Sequence, residues 1–290
     1  MKSLFIVFFL IPLFTIPVFG QNYVNVDELY KKAFALIKEG EFEDSISILN
    51  QILEVEPNNI SALNSRANAQ IGLEKFDKAI EDLDRIFDLV QEPSGGILYN
   101  YAVALSGIEE HEEAVQYFEL IDEDDFNYFN AQNGKGVALL NLSRFEEAVK
   151  SFDVVIGNDP DNFTAHLFRG VSLSNMGMYD EALESINTAL SIDSQNERAN
   201  HALQATLNQK GLSLLADSKP EEAKIYFEKA LANNPQDPNA AAYLNMAQTE
   251  IDFNKISNTV NSVYFLWAIT LGGIGFSIFV YLKPRKQKQK

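Results

Sequence analysis

The stretch "GVALLNLSRFEEAVKSFDVVIGNDPDNF", residues 136–163, lays its apolar positions along a helical stripe. It also sets small residues at Gly136 and Ala148, aromatics at Phe145 and Phe152, and a proline at Pro160. An amphipathic helix needs the stripe. It does not need small residues at chosen points on it; those are required where another helix backbone comes close. Aligning the chain on the small residue of the second helix gives Ser45, Ala79, Ala114, Ala148, Ala182 and Ala223, at gaps of 34, 35, 34, 34 and 41 residues.

The neighbours of this marker keep phase with it. Three residues before it stand Phe42, Phe76, His111, Phe145, Tyr179 and Pro220; four after it stand Leu49, Leu83, Phe118, Phe152, Ile186 and Phe227. Twelve before it every copy has a small residue, Ala33, Ala67, Ala102, Gly136, Gly170 or Gly211, and twelve after it Pro57, Pro160 and Pro235 close three copies. The spacing predicts helix–turn–helix units in which small residues let two helices cross closely and aromatics fill the gap between adjacent units. No such unit buries its apolar face alone, so neighbours stack and share one core. The last gap is seven residues, about two helical turns, too long. "NERANHALQATLNQKGLSLLAD", from Asn196, holds no proline, so the expectation is one long first helix that keeps phase.

The pattern resembles the tetratricopeptide repeat, a 34-residue helix–turn–helix unit. The resemblance covers roughly residues 26–238 as six units, about 26–59, 60–94, 95–128, 129–162, 163–196 and 197–238. It departs from the family pattern at His111, at the missing prolines of the second and fifth units, and throughout the sixth. It implies an all-α solenoid, a right-handed superhelix. Residues 239–256 then read as a capping helix and 257–262 as a linker.

Both ends carry apolar segments. Lys2 followed by an apolar run from Leu4 to Phe19 and by Val18-Phe19-Gly20 reads as a signal peptide over residues 1–20. Residues 21–25 form a short segment before the repeats. "VYFLWAITLGGIGFSIFVYL", residues 263–282, is 20 residues without a charge, enough to span a hydrocarbon layer of about 30 Å. Tyr264, Trp267 and Tyr281 stand near its ends, and the basic tail 283–290 follows. Cations favour the cytoplasmic side, which sets the repeats outside the cytoplasm. The expectation is a single-pass protein of the inner membrane with a periplasmic repeat domain. Ala268/Gly272 and Gly273/Ser277 are spaced for close approach of two such helices, a basis for self-association.

Charge narrows the partners. The chain has 23 basic and 41 acidic residues, net −18. With Lys2 and the five tail cations set apart, residues 21–262 hold 17 cations against 41 acids, a net of −24. Nucleic acid is a poor partner for such a body; proteins with basic patches suit it. There is no cysteine, hence no disulfide and no thiolate metal site.

Chemistry for catalysis is not visible. His111, His166 and His201 fall in three different units, and "DEDD" at 122–125 lacks the alternating ligands and glycine of a calcium loop. No metal, no cofactor and no catalytic residue is expected; the chain reads as a binding protein and not an enzyme. The family resemblance implies a peptide groove lined by the first helix of each unit. The slots so assigned hold Asn64, Asn68, Asn100, Asn130, Asn133, Asn175 and Asn208, with Tyr30, Phe34, Tyr99 and Phe168 among them. Amides pair with a peptide backbone without reading its side chains. Two readings stay open. One is a membrane-anchored extracytoplasmic scaffold of a bacterial envelope complex. The other is a luminal co-chaperone of the endoplasmic reticulum, drawn from sequons at Asn59, Asn141 and Asn162 and from a dilysine-like tail at Lys286 and Lys288.

Overall fold

A computed structural model describes the backbone of residues 25–281 and the side chains of residues 25–264 and of Trp267. The expected signal peptide, the Leu282 end of the expected span and the basic tail lie outside the described residues. So do most side chains of the span. Among the described residues there is no strand, and no helix is long and apolar enough to cross a membrane.

The helices are α1 (Val26–Glu39), α2 (Phe42–Val55), α3 (Ile60–Gly72), α4 (Phe76–Leu89), α5 (Gly95–Gly107), α6 (His111–Glu119), α7 (Tyr128–Asn141), α8 (Phe145–Asn158), α9 (Phe163–Asn175), α10 (Tyr179–Ile192), α11 (Glu197–Ala216), α12 (Pro220–Asn233) and α13 (Pro238–Tyr281). They fall into two compact units, divided between Glu92 and Pro93. In the first, the α1/α2 and α3/α4 hairpins stack through α2 on α3. In the second, the α5/α6, α7/α8, α9/α10 and α11/α12 hairpins stack in order and α13 closes on α12.

The marker residues do what their size requires. All six are fully buried, as are the residues four positions on. An added Cβ at Gly136 would lie 2.6 Å from the Phe152 ring, and one at Gly211 would lie 2.4 Å from the Phe227 ring. In these two hairpins the ring four residues past the marker therefore sits on the small residue of its own hairpin, and the expectation that aromatics fill the gap between adjacent units is corrected there. Phe42 fits that expectation: it crosses to the next hairpin, where its ring fills the Cβ space of Gly72. Ser45 takes the marker slot through a hydrogen bond, donating to the Ala33 carbonyl at 3.0 Å.

Every hairpin turns through one residue of positive φ, five positions before the marker: Gly40, Glu74, Glu109, Ser143, Gly177 and Ser218. Four of these are not glycine. Four of the first helices, α1, α3, α9 and α11, start on asparagine caps: Asn25, Asn59, Asn162 and Asn196 accept from the backbone N–H three residues on, the bond that satisfies an orphan helix donor. The long gap is absorbed by α11, 20 residues against 14 in α7. The residues expected to be a linker, 257–262, are helical: α13 runs unbroken for 44 residues.

Candidate functional site

The sequence-assigned groove residues separate into those used by the fold and those left open. In the first unit, the Tyr30 hydroxyl hydrogen-bonds Ser65 Oγ at 3.1 Å, which fixes α1 on α3. Phe34 is exposed with the Lys38 ammonium 4.6 Å over its ring. Asn64 is half-buried and Asn68 exposed.

In the second unit, several assigned residues prove structural. Asn100 is only 7% exposed, so it belongs to the interior and not to a groove wall. Asn175 Nδ2 donates back to the Val171 carbonyl at 2.9 Å. Asn208 Nδ2 donates to Asp237 Oδ2 at 3.1 Å, and Gln204 donates to the same oxygen at 2.5 Å. Asp237 also accepts from the Asn239 backbone N–H at 2.9 Å, so the cluster ties α11 to the first turn of α13. Burial pushes the Asp237 carboxyl upward, but the Gln204, Asn208 and backbone donors outweigh it and hold it below the usual range. Phe168 stacks on Phe152 with centroids 6.2 Å apart. Asn100, Asn208 and Phe168 are thus held in the packing between helices, while Asn175 stays exposed and bonds back to its own helix.

Three assigned residues do converge. Tyr99, Asn130 and Asn133 line a pocket of about 260 Å³ between α5 and α7, with Val103, Ser106, Gly134 and Val137 beside them and Phe118 as floor. Phe118 reaches the pocket because Gly134 has no Cβ; one added there would lie 2.5 Å from its ring. The Tyr99 ring packs on Phe118 at 6.0 Å, and burial raises the Tyr99 phenol above its ordinary value. Ser106 Oγ and Asn133 Oδ1 are buried without a hydrogen-bond partner. An orphaned buried acceptor costs about 1–3 kcal/mol, and a donor brought by a ligand would recover it. The apolar floor can take one side chain while the amides of Asn130 and Asn133 pair with a main chain. Sequence reasoning missed Val103, Ser106 and Val137. They follow Tyr99 and Asn130 on the same stripe at four and seven residues, which is the signal that would have found them.

Two of the three sequon asparagines have a local task. Asn59 and Asn162 cap α3 and α9 through Oδ1, and their Nδ2 atoms donate to Glu56 at 2.7 Å and Asp159 at 3.1 Å. Their spacing follows from the repeat. The acidic run is also local: Asp125 accepts from the Asn127 backbone N–H at 2.7 Å and fills the Cβ space of Gly95. No group of carboxylates and histidines that could hold a metal is found among the described residues.

Comparison with known proteins agrees with this architecture. One tetratricopeptide repeat model matches residues 64–128 and 133–206, and a second matches 29–59 and 205–237. The solved structure of PilW, described as a widely conserved type IV pilus biogenesis factor, superposes with a TM-score of 0.58 at 18% identity, covering 76% of this chain and 98% of that one. YrrB, described as a tetratricopeptide repeat protein with an unusual peptide-binding site, gives 0.50 at 22% identity, covering 60% of this chain and 89% of that one. At such identities the likeness is one of fold. No curated protein matches the chain. The matched models together span most of the repeat region: the chain belongs to the tetratricopeptide repeat family.

Proposed function

We propose that this chain is a membrane-anchored scaffold outside the cytoplasm of a bacterium, which holds a partner of an envelope complex by an extended segment laid against α5 and α7. The observation that carries the binding reading is the pocket over Phe118, where apolar surface and two unpartnered buried oxygens lie side by side. The acidic body favours a partner segment with basic flanks. The anchor reading rests on the uncharged run 263–282 and the five cations after it.

The binding test uses Asn130→Ala/Asn133→Ala together, which leaves the hairpin markers untouched. A photo-crosslinker placed at Phe129, exposed beside Asn130 on α7, should trap a partner in intact cells, and the double variant should lose that adduct. An unchanged adduct would refute the groove. Alkaline extraction of membranes tests the anchor: the full chain should stay with the lipid, and its release would exclude the span.

A further inference from the structure

We infer that α13 is a dimerisation helix, and that the occupant of its open face is α13 of a second copy of this chain. The helix docks through one side only. Ala240, Ala247 and Ile251 are buried, with Ala247 in the core formed by α11 and α12. On the other side Met246, Thr249, Phe253, Ile256, Val260, Val263 and Trp267 alternate at spacings of three and four. That is three consecutive heptads with Met246, Phe253, Val260 and Trp267 at the first position, the seam that one long helix offers to another. Its six apolar members are 44–67% exposed, and Thr249 is exposed too.

A helix that packs only on its own domain shows a broad stripe of period 3.6 turned inward. Here the inward face is already occupied, and the seven-residue period lies about 150° round the helix from it. The seam is continuous with a shallow apolar trough of about 820 Å³, in which Met246 and Phe253 face Leu212 and Leu215 of α11, and with a hollow of about 570 Å³ along Val260 and Trp267. Lipid cannot cover its first half. Phe253 stands ten residues before Val263, about 15 Å along the helix, and Met246 about 25 Å, with Glu250, Asp252 and Lys255 between.

A seam of this kind fits itself. Its flanking positions hold Asn245, Asp252 and Thr259 on one side and Glu250, Ser257 and Tyr264 on the other. In a parallel pair they meet as Asn–Glu, Asp–Ser and Thr–Tyr, and no like charges oppose. The acidic bodies still repel at long range. Association through the seam therefore strengthens as salt screens that repulsion, whose reach is about 10 Å at 0.1 M ionic strength.

The chain has no cysteine, so single cysteines report cleanly. In the full chain in mild detergent, Phe253→Cys, Ile256→Cys and Val260→Cys, oxidised singly and in mixtures, should give disulfide dimers. Asn258→Cys and Asn261→Cys, on the other faces, should give none. Phe253→Glu/Val260→Glu should reduce the mass in solution from two chains to one, with the thermal melt of the repeats unchanged because both positions are exposed. A wild-type chain of single mass, equal crosslinking at all five sites, or a glutamate variant that keeps the doubled mass would each overturn the proposal. The last result would assign pairing to the 263–282 run instead. None of these outcomes depends on the groove.

Discussion

Arg66 grips Asp82 with two nitrogens, Nε to Oδ2 at 2.7 Å and the terminal amine to Oδ1 at 2.5 Å, and its third nitrogen reaches Asn50 at 2.6 Å. Arg66 stands one residue before the small residue of α3, Asp82 three past the marker of α4, and Asn50 five past the marker of α2. The same slots recur in the second unit. Arg169 donates to Asp153 on α8 and to Ser185 on α10, both at 2.6 Å, and Lys135 pairs with Glu119 across α7 and α6 at 2.7 Å. In α3, α7 and α9 a cation before the small residue thus stitches the first helix to the hairpin that precedes it.

Asp82 is buried and its partner partly so, so removal of one charge leaves the other without compensation. Asp82→Ala should lower the unfolding free energy by about 3 kcal/mol. Arg66→Met with Asp82→Leu should recover most of that loss. Urea denaturation followed by circular dichroism reads both.

The turn residue with positive φ carries strain wherever it has a side chain. Glu74→Gly, Glu109→Gly, Ser143→Gly and Ser218→Gly should each stabilise by about 0.5 kcal/mol, the left-handed penalty of 1–2 kcal/mol less the added chain entropy of glycine. Gly177→Ala should do the reverse. Thermal melts of the single variants and of the fourfold variant give the sign and its additivity.

Gly136→Ala and Gly211→Ala test the opposite case. Alanine raises helix propensity by up to about 1 kcal/mol, but its methyl would collide with rings that are themselves buried and cannot swing away. A net loss of about 2 kcal/mol is expected. Pairing Gly136→Ala with Phe152→Leu should recover part of it, which a purely local helix effect would not allow.

Asp237 makes stability depend on acidity. Its native carboxyl titrates below the unfolded value, so its contribution is present above about pH 3.8 and is lost as pH falls through the lower native value. Asp237→Asn should be less stable than the parent at neutral pH. The gap should close as pH falls below about 4. Equilibrium unfolding at pH 7, 5 and 3 measures this.

Positions ruled by backbone contact were legible in the sequence. A small residue under Phe152 or Phe227 leaves no choice, so Gly136 and Gly211 keep phase even where the rest of the sixth unit degenerates. The long α11 was legible for the same reason. The groove was harder to read because asparagine serves four purposes here. Asn162 caps a helix, Asn175 bonds back to its own, Asn208 holds a neighbour's carboxylate, and Asn130 lines an open pocket. The slot in the repeat is the same kind of information for all of them; the partner that decides is set by packing between units. The turn strain was hidden by chemistry, since Glu74 and Glu109 give no sign of a left-handed backbone that Gly40 and Gly177 announce. The expected linker, residues 257–262, is built of serine, asparagine, threonine and valine, poor helix formers, yet propensity is a weak prior and α13 carries its helix through them.

The unbroken course of α13 has a mechanical result. Forty-four residues rising without a hinge make a shaft of about 66 Å. Whatever direction its far end is held in, the proposed docking surface on α5 and α7 is aimed with it, like a vane keyed to an axle. Slipping one extra residue into the shaft past Ile251 would swing that aim by about 100° while leaving every hairpin intact.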